Sequence, residues 1–258
     1  MPAKPDPVVH AYVRAHATLR LIAQLPQPLV RETYPGRVTV QLLSPGGPAC
    51  SVQVRNGVAT FRASRRFFPT VSLWFPKPIH MATLLAGGKA PVIPIPSSLR
   101  FLSAVKAFRS LTAAVQSAFT DPAHRVRLLL MGTLFALEEV ATRDPYVAAR
   151  MARIPAGTIG VSVAGDPGVA GWLRKTAAAA QSSGTAGGSL AAGSGAPESP
   201  NAELVFSDRD TAEALLTGRL PAMLALAERR ISLFGRLPMI QNLFPILDRV
   251  ATYMGGQS

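Results

Sequence analysis

Pro69-Thr-Val-Ser-Leu73-Trp-Phe75, followed by Leu84-Leu85-Ala-Gly87, recurs as Pro200-Asn-Ala-Glu-Leu204-Val-Phe206, followed by Leu215-Leu216-Thr-Gly218. A constant offset of 131 positions relates the two, without a gap from Pro69/Pro200 to Gly87/Gly218. Similarity at one fixed offset points to duplicated units, and 131 residues is a domain length rather than a solenoid period. Each copy reads as a strand and then a short helix stopped by its glycine.

Working outward in the first half, a helix is expected from about His10 to Arg31, before a strand at Arg37–Leu43. The turn Ser44–Pro48 leads to Ser51–Val54, and Asn56-Gly57 is a strong hairpin signal before Val58–Arg62. After the proline-studded Pro91–Pro96 comes a helix at about Leu99–Phe119, with Phe101, Val105 and Phe108 on its apolar stripe. Asp121-Pro122 marks a boundary and Asp144-Pro145 repeats the device, an aspartate cap ahead of a proline suited to the first helical position. The chain is therefore read as two domains, 1–120 and 121–258.

In the second half, strands are expected at Gly157–Val163, around Trp172 and at Ala202–Phe206. Helices are expected at Thr211–Leu216, Pro221–Arg230 and Leu237–Met254, the last kinked at Pro245. Residues 177–200 are nearly all Ala, Gly and Ser, and read as an eroded or expanded hairpin or a loop, because they carry little apolar bulk.

Charge separates the halves. Residues 1–120 hold 14 bases against two acids, Asp6 and Glu32, for +12; residues 121–258 hold 13 bases and 12 acids, for +1. The first half thus projects a positive field toward an anionic partner. Anionic lipid headgroups, nucleic acid and plain solvation of a basic face all remain open on charge alone. Phe61, Phe67 and Phe68 lie beside the bases, in or next to strands, where core packing accounts for them. The chain is 48% hydrophobic with 16% charged residues, which suits either a well-buried interior or apolar surface kept for lipid.

Cys50 is alone, so neither a disulfide framework nor a thiolate cluster is expected. The first residues lack an apolar core, so a secretory signal is not expected and the reading is cytoplasmic, with peripheral membrane association allowed. The longest apolar run, Leu128–Leu137, is about half the length that spans a bilayer.

The ordered set Ala202–Phe206, Leu215-Leu-Thr-Gly218-Arg-Leu-Pro-Ala-Met223, Arg230–Gly235 and an apolar final helix resembles the sterol carrier protein type 2 family. The likeness covers Pro200–Met254 well and Arg37–Phe119 with the element order intact. It implies an α+β fold with two such domains, each a mixed, roughly five-stranded sheet with helices on one face and an apolar tunnel between them. The sequence departs from the pattern twice: Pro91–Pro96 stands where a helix belongs, without a strand-ending glycine, and the Ala/Gly/Ser segment stands where a hairpin belongs.

A lipid site needs apolar lining with few polar groups, since an unpaired polar atom against hydrocarbon costs a few kcal/mol. On this plan the second unit would supply Leu204, Phe206, Leu215, Leu216, Met223, Leu224 and Phe234. Ile240, Leu243, Leu247, Val250 and Met254 would join them along the final helix. The first would supply Leu73, Phe75, Leu84, Phe101, Val105 and Phe108. The same stripes could instead pack on one another. Arg62, Arg65 and Arg66 are the candidates for headgroup contact, or a solvated cluster at a strand end.

Signs of catalysis are weak. His10, His16, His80 and His124 lack metal-ligand spacing, Ser103-x-x-Lys106 lacks its companion motifs, and Glu138-Glu139 diverge on a helix. No phosphate loop or dinucleotide fingerprint is present, so neither an enzyme nor a cofactor is expected. The reading is non-enzymatic binding and transfer of a sterol, fatty acyl or isoprenoid lipid, with the basic half on an anionic membrane. The alternative is a scaffold presenting a lipid or quinone precursor to biosynthetic enzymes; nucleic-acid binding ranks below both.

Overall fold

In the computed structural model, residues 6–177 and 189–254 are described, and the chain divides into two units, Met1–Asp121 and Pro122–Ser258. In the first, Asp6 caps helix α1 (Pro7–Ala23), its carboxylate accepting the Val8 N–H at 2.7 Å. The single helix expected over His10–Arg31 is broken. Pro26 disfavours helical backbone at Leu25, and the chain restarts as α2 (Gln27–Thr33). Ala11, Val13, Ala15, Leu19 and Ile22 of α1 are fully buried.

Five strands follow in the sheet order β3-β2-β1-β4-β5: β1 (Val38–Leu43), β2 (Ala49–Arg55), β3 (Val58–Arg62), β4 (Val71–Trp74) and β5 (Ile93–Pro96). Asn56 and Gly57 both take positive φ, 54° and 76°, as the tight β2–β3 hairpin requires. β1 and β4 are parallel, and the other neighbours are antiparallel. Helix α3 (Pro78–Leu85) follows β4, and α4 (Phe101–Thr120) follows β5. α1 lies against α3, α4, β2 and β3, at the centre of the unit.

Pro91–Pro96, the expected departure, ends in a regular edge strand. Ser97 N–H donates to Thr70 O, so the alternation of an antiparallel ladder puts Pro94 and Pro96 at the non-bonded pairs. Their missing N–H groups are those that would face away from β4. The outer edge is thereby stripped of donors that could recruit another strand.

The second unit opens with α5 (Pro122–Arg143) and α6 (Pro145–Ala152). The apolar run Leu128–Leu137 lies inside α5 and is largely buried within its own unit. Among the described residues no helix is long and apolar enough to cross a membrane. Strands β6 (Gly157–Val163), β7 (Asp166–Lys175), β8 (Leu190–Ser194), β9 (Ala202–Phe206) and β10 (Ile231–Gly235) form a sheet in the order β8-β7-β6-β9-β10, with β6 and β9 parallel. Helices α7 (Arg209–Leu216) and α8 (Ala222–Ala227) lie between β9 and β10; α9 (Leu237–Gln241) and α10 (Phe244–Met254) come last.

The two sheets share one strand order and one set of pairings. The 131-residue offset carries α3 onto α7 from end to end, and Gly87 and Gly218 both hold positive φ, 87° and 76°. The strand registers extend the same offset back to Phe61 and Ala192, so the path from Phe61 to Val71 and that from Ala192 to Ala202 have equal length.

Two readings of the second half are corrected, and one is resolved. Within the Ala/Gly/Ser segment 177–200, residues 178–188 lie outside the described residues; of the two expected alternatives, hairpin or loop, the flanks form the hairpin, since Leu190–Ser194 is a strand antiparallel to β7. Its ladder with β7 uses backbone groups and needs no bulky side chains, and Gly193 lets the Trp172 ring lie against the chain, where a Cβ would sit 2.3 Å from it. Leu237–Met254 is two helices rather than one kinked helix, because Pro245 cannot donate to Gln241 four residues earlier. The expected Pro221–Arg230 helix covers only Ala222–Ala227.

A buried charged cluster holds α10 in place. Asp144 caps α6 through the Tyr146 and Val147 N–H groups, and its other oxygen accepts from Arg249 Nε at 3.0 Å and Tyr253 OH at 2.8 Å. Asp144, Arg249 and Tyr253 are all buried. Burial alone pushes the Asp144 carboxyl up. The hydrogen bonds from Tyr253 and Arg249, the Arg249 charge and the Val147 N–H outweigh it, and the pKa lies below its ordinary value. Asp144→Asn leaves Arg249 buried opposite a neutral group and should destabilise the unit by about 3–5 kcal/mol in urea at neutral pH. Since the folded carboxyl is the stronger acid, this contribution is complete above pH ~4 and is lost as pH falls through the folded pKa. Urea midpoints of wild type and Asp144→Asn should therefore converge in strong acid; a separation that persists there would refute the ionic role.

Candidate functional site

The clamp on Asp144 settles which way α10 faces. With Arg249 and Tyr253 turned to α6, the stripe Leu247, Val250, Ala251 and Met254 faces an apolar cavity of about 240 Å³. Phe244, at the start of α10, closes one part of it. Opposite stand Thr133 of α5, Leu215 and Leu216 at the end of α7, and the segment from Gly218 to Ala222. Gly218 and Pro221 are exposed, so the cavity reaches the surface beside them.

The Thr133 hydroxyl is the one polar side-chain group among these lining residues. The side chains of this lining bring no charged group and no His, Cys, Asp or Glu to ligate a metal, and its polar surface comes from that hydroxyl and from backbone atoms. What it offers is burial of hydrocarbon at about 0.8 kcal/mol per CH₂. The volume lies below the roughly 300–1,000 Å³ of drug-sized sites, and so suits a chain more than a fused ring system. Arg219 stands between the lining residues Gly218 and Leu220, and it shares the Glu213 carboxylate with Arg125, at N–O distances of 2.5 and 3.1 Å, so this trio carries one positive charge in excess. Among the described residues there is no group of three or more His, Cys, Asp or Glu that could hold a metal ion.

Of the residues expected to line a lipid site, Leu215, Leu216, Leu247 and Val250 come together here, as does Met254. Leu204 and Phe206 are buried on β9, and Ile240 and Leu243 are buried in and after α9; none of the four lines this cavity. Met223, Leu224 and Phe234 do not line it either; they are 70%, 48% and 53% exposed. α8 is a single short turn of helix that buries Ala225 and turns Met223 and Leu224 outward, next to the mouth.

In the first unit Leu73, Phe75 and Phe108 are buried, while Leu84, Phe101 and Val105 are half-buried. Arg62 and Arg65 are exposed. Arg66 is half-buried, its backbone N–H donating to Gln41 Oε1 at 2.6 Å. The core packing expected for Phe67 and Phe68 does not occur, since both side chains project into solvent. Glu138 and Glu139 do diverge, to the Ala192 N–H and to Arg143 respectively. The reading missed Phe244, Ala251, Leu220 and Ala222. Phe244 and Ala251 continue the α10 stripe at helical spacing, a signal visible once the helix is started at Phe244 rather than Leu237. Leu220 and Ala222 sit in a connection, where periodicity says nothing.

No protein-family model matches the sequence, and no curated protein matches it. Among solved structures, the solution structure of the sterol carrier protein domain 2 of Helicoverpa armigera aligns with a TM-score of 0.32 and 17% identity, over 48% of this chain and 88% of that one.

Proposed function

We propose that this chain is a non-enzymatic lipid-binding protein. The second unit takes up a hydrophobic chain, fatty acyl in preference to sterol, and the basic first unit docks on an anionic membrane through Arg62, Arg65 and Arg66. The observation that carries the reading is the α5–α7–α10 cavity, whose lining has a single side-chain hydroxyl. Arg219, between the lining residues Gly218 and Leu220, suits an acidic headgroup. Support for docking comes from the +12 charge of residues 1–120, at about 1 kcal/mol per base near an anionic surface. In this reading the two units are copies of one sterol-carrier-like module, supported by the shared sheet order and the 131-residue offset. Only the second is assigned the ligand.

The test is titration of the delipidated full chain with a fluorescent fatty-acid analogue, alongside native mass spectrometry of protein purified without added lipid. Saturable uptake of one probe per chain is expected. Ala251→Leu fills the cavity, so it should weaken uptake at least about tenfold and raise stability in urea by about 0.5–2 kcal/mol. Absence of uptake by the wild type, or full uptake by a folded Ala251→Leu variant, would overturn the assignment.

A further inference from the structure

Most exposed apolar residues of the first unit, Val58 and Ile79 apart, are gathered by the sheet rather than scattered. Phe67 and Phe68, on the connection from β3 to β4, are 96% and 95% exposed, and Leu99 and Leu102, where β5 passes into α4, are 103% and 70% exposed. The Ser97 N–H···O Thr70 bond at 3.4 Å joins these two segments. Phe68 and Leu99 each lie two residues from that bonded pair. Ile93 and Ile95, on adjoining β5, are about half exposed.

The phenylalanines are held outward. On one side the Arg66 N–H is bonded to Gln41 Oε1; on the other Pro69 is buried, and Thr70 exchanges bonds with Thr39, at 2.8 Å to its carbonyl and 3.0 Å from its N–H. Nor does the fold demand aromatic residues there. In the second unit the equivalent connection crosses at Pro197, seated over Gly160, and the positions matching Phe67 and Phe68 are Glu198 and Ser199. Two adjacent phenylalanines, each with roughly 150–250 Å² to bury, are kept in water only in the first unit.

The flanking charge selects the occupant. Arg62, Arg65 and Arg100 are exposed around this tip, and the only acids before Asp121 are Asp6 and Glu32. Aromatic and basic residues together would also suit single-stranded nucleic acid, where bases stack on rings. Leu99, Leu102, Ile93 and Ile95 cannot stack bases, whereas apolar side chains ringed by arginine match an acyl–headgroup boundary.

We infer that Phe67, Phe68, Leu99 and Leu102 insert into the interface of an anionic phospholipid bilayer while Arg62, Arg65 and Arg100 contact its phosphates. This rests on the membrane-docking part of the proposed function and adds a hydrophobic, salt-resistant component to it. The full chain is tested by cosedimentation with phosphatidylcholine vesicles with and without phosphatidylglycerol, at low and high salt. Wild type should bind the anionic vesicles and keep part of that binding at high salt. Phe67→Ser/Phe68→Ser and Leu99→Ser/Leu102→Ser should each lower partitioning at least about tenfold, with unchanged thermal unfolding because the side chains touch little. Ile79→Ser, at an exposed apolar residue elsewhere in the unit, should have no effect. A fluorophore on Phe68→Cys, selective because Cys50 is buried, should shift to the blue on anionic vesicles.

If the serine variants bind as wild type does, insertion is wrong and docking is by charge alone. If wild type binds no vesicles, insertion and docking both fall, while the acyl-probe titration reports on the cavity separately. If the variants lose binding to single-stranded RNA but not to vesicles, the tip belongs to nucleic acid and the inference fails.

Discussion

The parallel pair at the centre of each sheet is the constraint on which the rest is built. Parallel strands cannot be joined by a tight turn, so the chain between β1 and β4, or between β6 and β9, must make a hairpin and then cross back over the sheet. That crossing covers the central strand on one face and leaves the other for the helices. It also puts the helix after the second parallel strand, α3 or α7, where it closes over the core. Each unit meets the crossing with different chemistry. In the first, the Gln41 side chain accepts the Arg66 N–H; in the second, Pro197 has no N–H to offer, and Gly160 removes the side chain that would obstruct it.

One architecture therefore carries two surfaces of opposite character. The first unit turns its crossing into an apolar tip among arginines, on a background with almost no carboxylates. The second has polar residues at the same place and near-neutral charge, and keeps its apolar investment inside, between α5, α7 and α10. That cavity depends on a charged cluster that never touches it. Asp144 ties the start of α6 to Arg249 and Tyr253, and because these occupy one side of α10, Leu247, Ala251 and Met254 must take the other. A void can persist there because its walls are held by the sheet and by this clamp rather than by contact with one another.

Much of this was legible in the residues. The repeat marked the parallel strand and following helix in both units, Asn56-Gly57 marked the hairpin, and alternating and helical periodicities found most elements, because strand and helix impose periods of two and 3.6 on whatever they bury. Prolines were read less well: Pro26 and Pro245 each separate two helices, and Pro94 and Pro96 occur within a strand. The effect of a proline depends on whether its missing donor faces a partner, and that is a property of register. Strand β8 was legible only as one arm of an eroded hairpin or as loop, without bounds, since its ladder is made by backbone and its small side chains carry no pattern.

By itself, then, the sequence determined the recurrence of one strand-and-helix stretch, the mixed α+β composition and the concentration of positive charge in the first 120 residues, because these follow from local periodicity and from counting. Tertiary structure alone decided which apolar residues are buried, which enclose space and which face water. Leu243 and Leu247 look alike on the helical stripe, and Phe61 and Phe67 look alike beside the arginines. Burial is set by what lies opposite a side chain, and the neighbours that decide it come from strands and helices distant along the chain.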